Sequence, residues 1–421
     1  MTPTQKRSSL LNTATCFAIL AVCAACSRET PAPDAQNADT AQAPGQPLET
    51  REANSPDFKP AFEGQTRIGG LQSEFELDVT EVAKGIASGW AFEFLPDGRI
   101  LVTERQGNLR IVGKDGNLSA PLQGVPKVFF EGQGGLLDVA LDPQFSSNRT
   151  IYWTYAEPRE GGNGTALAKG ILSADETGVE QVQVIFRQMP TYNGNLHFGS
   201  RIVFTPDGKM FLALGERSNP DARVHSQDLN SHFGKVVRLN LDGSVPDDNP
   251  FVGRSDAKPE IWSYGHRNIQ AATLDGQGKL WTIEHGPRGG DELNQPQAGR
   301  NYGWPVITYG IEYSGPKIGE AITQKEGMEQ PVYYWDPVIA PSGMIVYDGT
   351  MFPEWQGNIF VGGMASMKLV RLQLENDKVV GEEWLLRDRG RVRDVRQGSD
   401  GAIYMLLEAA EGAIVRIARK G

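Results

Sequence analysis

Pro206-Asp-Gly-Lys-Met-Phe-Leu212 reads as a tight turn followed at once by an apolar strand. Pro and Asp initiate the turn, Gly supplies the backbone conformation that closes it, and Met-Phe-Leu continues as extended chain. The same unit recurs as Pro96-Asp-Gly-Arg-Ile-Leu-Val102, Asn148-Arg-Thr-Ile-Tyr-Trp153, Asp275-Gly-Gln-Gly-Lys-Leu-Trp281, Gly357-Asn-Ile-Phe-Val361 and Ser399-Asp-Gly-Ala-Ile-Tyr404. Successive copies are far enough apart for four strands and their loops. A strand unit repeated at that period is the signature of a radial array. Six copies imply an all-β, six-bladed β-propeller with four-stranded antiparallel blades around a central channel. No amphipathic helix of three turns interrupts the pattern after Phe75. An early strand near Phe75 to Val82 is expected to complete the last blade, so that no sheet edge is left free to aggregate.

The chain outside this array divides simply. Lys6 and Arg7 precede an apolar run from Leu10 to Ala25, and Cys23-Ala-Ala-Cys26 closes it. This is a secretory signal over residues 1–25, too short and too weakly flanked for a membrane span. The small residues before Cys26 resemble a bacterial lipoprotein box, which implies Cys26 as the lipidated first residue of an exported, membrane-anchored protein, with a plain cleaved signal peptide as the alternative. Ser27 in the next position points to the outer membrane, facing the periplasm. Residues 26–60, rich in Pro, Ala and Gln, read as a tether whose apolar content cannot offset its ordering entropy. Residues 61–421 then form the propeller. All three cysteines, Cys16, Cys23 and Cys26, lie in the leader, so the mature domain is expected to fold without a disulfide. With 41 basic against 52 acidic residues, a net charge of −11, the chain has no cationic stripe for nucleic acid.

Chemistry concentrates between Glu260 and Pro305. Gly265-His-Arg-Asn268, Glu284-His-Gly-Pro287, Asp291-Glu292 and Asn301-Tyr-Gly-Trp-Pro305 are loops dense in glycine, amide and charge at strand ends. Glycine admits close approach of backbone carbonyls to a ligand. Carbonyls and carboxylates together are the hard oxygen donors that calcium takes. Arg267 and Asn268 offer a planar charged fork and an amide, suited to a flat anion. Taken singly, each piece reads equally well as a glycine turn with surface charge. Elsewhere, Asn195-Leu-His197-Phe-Gly-Ser-Arg201 places a histidine before a strand, where an imidazole titrates near neutrality and can accept a hydroxyl proton. Gln133 sits in the glycine-rich turn before Leu136. Arg391 and Arg393 are alternate residues of an extended segment, which puts both guanidiniums on one side.

These loops, over a region from about Trp90 to Arg419, resemble those of the soluble quinoprotein aldose (glucose/sorbosone) dehydrogenases. That family consists of six-bladed propellers using pyrroloquinoline quinone (PQQ) and calcium. The resemblance implies oxidation of the C1 hydroxyl of an aldose to the lactone, with hydride transfer to PQQ, calcium assistance and an external electron acceptor. It makes His197 the base. Gln133, Arg267, Asn268, Lys368, Arg391 and Arg393 become cofactor ligands, the arginines facing PQQ carboxylates. The carbonyls of Gly286 and Pro287 would share one calcium with the quinone, and Glu292 with the carbonyl of Tyr302 would hold a second, structural ion. Two departures stand out. The family lysine aligns with Ala365, three residues before Lys368. Leu196 stands where glucose-specialised members carry Asp, which implies broader aldose specificity. Two other classes remain as alternatives: a calcium-dependent lactonase propeller, which needs carboxylates in the channel, and a non-catalytic binding propeller.

Overall fold

The computed structural model describes residues 45–421. The signal segment, Cys26 and most of the expected tether therefore lie outside the described residues.

Six antiparallel sheets follow one another along the chain. Blade 1 comprises Gly89–Phe94, Ile100–Glu104 and Asn108–Val112. Blade 2 comprises Leu136–Leu141, Thr150–Arg159, Gly162–Leu172 and Val179–Arg187. Blade 3 comprises Gly199–Phe204, Lys209–Leu214, Lys235–Asn240 and Ile261–Tyr264. Blade 4 comprises Ile269–Leu274, Leu280–Glu284, Asp291–Asn294 and Tyr333–Trp335. Blade 5 comprises Pro341–Val346, Ile359–Gly363, Lys368–Glu375 and Lys378–Leu385. Blade 6 comprises Arg391–Gln397, Ile403–Glu408, Gly412–Arg419 and, as its outer strand, Leu77–Ile86 from the start of the body. That last pairing, Leu77 opposite Arg419 through Ile86 opposite Gly412, closes the ring between the two ends of the domain. Blade 1 has three strands rather than the expected four, and a single bridge from Val112 to Leu118 stands in for its outer edge.

Each of the six turn-and-strand repeats sits at the same place, the turn into the second strand of its blade. The first strands of neighbouring blades touch one another all the way round, which defines the channel. Between each adjacent pair of blades lies an apolar layer, six in all, as in Trp90, Leu101 and Trp153 between blades 1 and 2. A strand buried on both faces in this way needs apolar residues at consecutive positions, and Ile100–Glu104 is buried throughout. Among the described residues, helices are limited to single turns such as Phe145–Asn148 and Pro220–Arg223. No helix among the described residues is long and apolar enough to cross a membrane.

Residues 45–60, assigned from sequence to the tether, lie against the body. The Asp336 carboxylate accepts from the backbone N–H groups of Asn54 and Ser55, both at 2.9 Å. Arg288 donates to Asn54 Oδ1 at 3.0 Å. Polar backbone, rather than apolar burial, orders this stretch, which is why its composition gave no sign of it.

Candidate active site

The starts of the first strands and the ends of the second strands meet at one end of the channel, so residues hundreds of positions apart line one cavity of about 250 Å³. Gln133, His285, Arg391 and Arg393 line it, joined by Trp90, Arg105, Gln270 and Glu408.

His197 is 5% exposed and sits at φ 49°, a left-handed backbone conformation unusual for a residue with a side chain. Its N–H donates to Gln133 Oε1 at 2.9 Å. That bond occupies the Gln133 oxygen and leaves the amide N–H groups to face a ligand. Imidazole Nδ1 lies 2.6 Å from Glu216 Oε2. Glu216 is fully buried at the end of blade 3's second strand, and its Oε2 also accepts from the Ser218 N–H at 2.7 Å. A carboxylate only accepts, so Nδ1 carries the proton and Nε2 keeps a free lone pair. Burial holds His197 below its ordinary pKa, against the upward pull of Glu216. The ring is therefore a neutral base near pH 7. The Glu216 carboxyl is held below the ordinary range, its own burial outweighed by its interaction with the His197 imidazole, the Arg267 charge and the Ser218 N–H.

The arginine pair converges as the alternation implies, though a register shift between Val392 and Asp394 bends the strand at that point. Both guanidiniums reach one carboxylate, Glu408: Arg391 Nη2 at 3.0 Å and Arg393 Nη2 at 3.4 Å. Arg105 approaches the same group at 3.9 Å. Three guanidiniums around a single carboxylate leave a cationic excess at the cavity wall. Arg393 is buried, and its Nε has no hydrogen-bond partner.

Arg267 does not line this cavity but a neighbouring smaller space, the two sharing His285, and it packs against Trp304 with its guanidinium centre 5.2 Å from the ring centroid. Its Nη1 donates to the carbonyls of His285 at 2.9 Å and Gly286 at 2.7 Å, while its Nε is buried without a partner. Asn268 is buried and ties loops together, its Oδ1 accepting from the Gly199 N–H at 3.2 Å. His285 donates from Nε2 to the Pro341 carbonyl at 2.7 Å, and burial pushes its pKa down to about 3.

Gly286, Pro287, Glu292 and Tyr302 border a second, very small space of about 10 Å³, together with Glu284. Glu292 pairs directly across two strands with Glu284. Burial and the Glu284 charge hold Glu292 well above the usual carboxylate range. The Tyr302 hydroxyl is consumed within its own loop, donating to the Gln295 carbonyl at 2.6 Å. Asp291, read from sequence as a possible oxygen donor, instead staples the loop. It accepts from the N–H groups of Gly286, Ile339 and Ala340, each at 2.8 Å.

Not every candidate joins the site. The Lys368 ammonium lies 3.1 Å from the Trp384 ring centroid, in blade 5's outer part, and is not among the cavity's lining residues. Arg201 is pinned between Asp138 at 2.8 Å and Asp394 at 3.1 Å, fastening blades 2, 3 and 6 together. His232 is buried with Nε2 2.6 Å from Glu260. Glu216, Glu408 and Arg105 were missed. Their one common signal is a charged residue at or just past the end of the second strand of a blade, as in Leu214-Gly215-Glu216.

Comparison with known proteins agrees with this geometry. A family model described as Glucose / Sorbosone dehydrogenase matches residues 86–416. The chain is 46% identical over 333 residues to the aldose sugar dehydrogenase YliI of Escherichia coli K12, covering 78% of this chain and 89% of that protein. A crystal structure of a glucose dehydrogenase superposes with a TM-score of 0.79 at 47% identity, covering 80% of this chain and 99% of the other. The PQQ-bound form of an aldose sugar dehydrogenase from Streptomyces coelicolor superposes with a TM-score of 0.68 at 26% identity, covering 83% and 100%.

Proposed function

This chain belongs to the glucose/sorbosone dehydrogenase family and is an enzyme of that type, and from that premise we propose that it oxidises the C1 hydroxyl of aldose sugars to the lactone with PQQ and calcium. The observation that carries this reading is the buried His197–Glu216 pair beside a cavity whose cationic wall has one balancing carboxylate.

The residues suit both groups. PQQ is a flat tricarboxylate, and the unpartnered Nε atoms of Arg267 and Arg393 are buried donors awaiting an anion. Arg105, Arg391, Arg393 and Arg267 would hold it, with Gln133 contributing its amide N–H groups. A cation suits the second space, because two carboxylates facing each other across a strand pair repel unless neutralised. Glu292 and the Tyr302 carbonyl would serve it there. The Pro287 carbonyl would serve the ion beside the quinone, jointly with the Gly286 carbonyl that Arg267 now contacts. When bound, the quinone with its calcium supplies the electrophilic acceptor for the hydride leaving sugar C1.

The protein's own part is proton handling and orientation. His197 Nε2 takes the proton of the anomeric hydroxyl as the C1 hydride departs, and Glu216 stabilises the imidazolium that forms. Gln133 fixes the His197 backbone, and Trp90 and Phe198 wall the cavity. Electrons then pass to an external acceptor. A lactonase would need carboxylates converging on the channel mouth, where this cavity presents arginines.

His197→Ala should lower saturated turnover by roughly two to four orders of magnitude, with PQQ affinity little changed in a fluorescence titration. Near-normal turnover would falsify the assignment. The leader composition further supports an exported protein anchored through lipid on Cys26. Cys26→Ser should move the protein from the membrane to the soluble fraction, and a wild type already soluble would end that part of the reading.

A further inference from the structure

We propose that Arg217 is a positioning residue for this reaction, holding the His197 loop in the strained conformation that presents the imidazole. The inference rests on His197 being the base, as argued above. Arg217 is 1% exposed, too deep to meet substrate. Its Nε donates to the Leu196 carbonyl at 3.0 Å, and its Nη2 donates to the Gly194 carbonyl and to Asn163 Oδ1, both at 2.7 Å. The guanidinium lies over Phe198, 3.9 Å from the ring centroid. The side chain thus grips the residues on either side of His197, and its own N–H donates to the His197 carbonyl at 3.3 Å.

Such a grip has something to hold. His197 lies at φ 49°, Arg217 at 73° and Ser218 at 75°, three left-handed residues with side chains around one imidazole. Each is disfavoured by contact between Cβ and the backbone, and such strain persists only where surrounding bonds over-determine it. Released from Arg217, the 194–198 segment would relax toward ordinary backbone conformations and rotate the ring away from Glu216. A lysine cannot replace the fork, because one ammonium cannot reach both carbonyls and Asn163 with planar geometry while stacking on Phe198. Misplacement of a base by about 1 Å costs roughly a hundredfold in rate.

The test is a double-mutant cycle on the reconstituted enzyme. Arg217→Lys should lower kcat about 10- to 100-fold in the wild-type background, with KM and PQQ affinity within about threefold. In the His197→Ala background the same change should cost almost nothing, since the group it positions is gone. Asn163→Ala, which removes one Arg217 acceptor without emptying the arginine site, should show a smaller loss with the same dependence on His197. Imidazole ¹⁵N shifts give a readout independent of activity. The wild type should show His197 protonated at Nδ1, and Arg217→Lys should show a mixture of tautomers. Equal losses of kcat in both backgrounds, or an unchanged His197 spectrum in Arg217→Lys, would overturn the proposal. Should His197→Ala alone turn over normally, the base assignment fails, and the spectrum still decides whether Arg217 holds the ring.

Discussion

Glu216→Gln isolates the contribution of the buried carboxylate, because it keeps the size of the side chain and removes the charge. In the wild type, the 2.6 Å contact from Nδ1 to Oε2 admits one arrangement, proton on Nδ1 and lone pair on Nε2. Glutamine can keep its oxygen on Nδ1–H and the Ser218 N–H only as a weaker, neutral acceptor, and turning its NH₂ toward Nδ1 instead favours the tautomer with the proton on Nε2, which cannot accept from a sugar hydroxyl. A hydrogen bond to a charged group is worth about 1.5–3 kcal/mol, or about 10- to 150-fold in the population of the competent ring. Loss of the negative charge facing the developing imidazolium adds a further factor, and together they give a fall in kcat of about a thousandfold. Cofactor affinity should move less than about threefold, since the Glu216 side chain does not line the cavity. The pH profile has a definite sign. His197 already sits below its ordinary pKa through burial, with Glu216 pulling it upward. Removing the carboxylate lowers it further, so the acid limb of kcat should shift to lower pH even as the plateau collapses. Saturated turnover with a dye acceptor, measured from about pH 4 to 9, reads both effects. A plateau within threefold of wild type, or an acid limb displaced upward, would refute the dyad.

Other consequences follow from the charges around the two cavities. Arg393→Ala should weaken PQQ binding by orders of magnitude, with turnover largely recovered at saturating cofactor. Arg391→Ala should do less, because its side chain is 49% exposed. Normal PQQ binding in both would remove this pair from the carboxylate clamp. Glu292 has its folded-state pKa raised, so its own contribution to the stability of the cation-free protein is fully present below the unfolded carboxylate pKa of about 4.3 and is lost as pH rises through the folded value. Calcium should therefore raise the melting temperature more at pH 7 than at pH 5. Glu292→Gln should raise the melting temperature of the calcium-free protein and abolish the calcium response. An undiminished response in Glu292→Gln would place the ion elsewhere.

The number of blades was legible because each blade repeats one local event, an Asp or Asn turn entering a buried strand, and local turn chemistry is written in adjacent residues. Closure by an N-terminal strand was legible for a related reason, since a sheet edge has to be paired or blunted. His197, Gln133, Arg267, Arg391 and Arg393 stood out because they lie in short loops whose spacing is itself a pattern. What surrounds them did not. Glu216, Glu408 and Arg105 each stand at or just past the end of the second strand of a different blade, and they gain meaning only when the ring brings Arg105 and Glu408 to one cavity and Glu216 behind His197. Arg217 looked like any other charged residue until its burial beneath the His197 loop gave it three acceptors. Lys368 shows the converse, a residue close in sequence to the family position that the hairpin turns toward Trp384. A sequence specifies which groups are available and how the chain turns between them. Which carboxylate meets which imidazole depends on contacts across the channel, where separation along the chain has no bearing on distance.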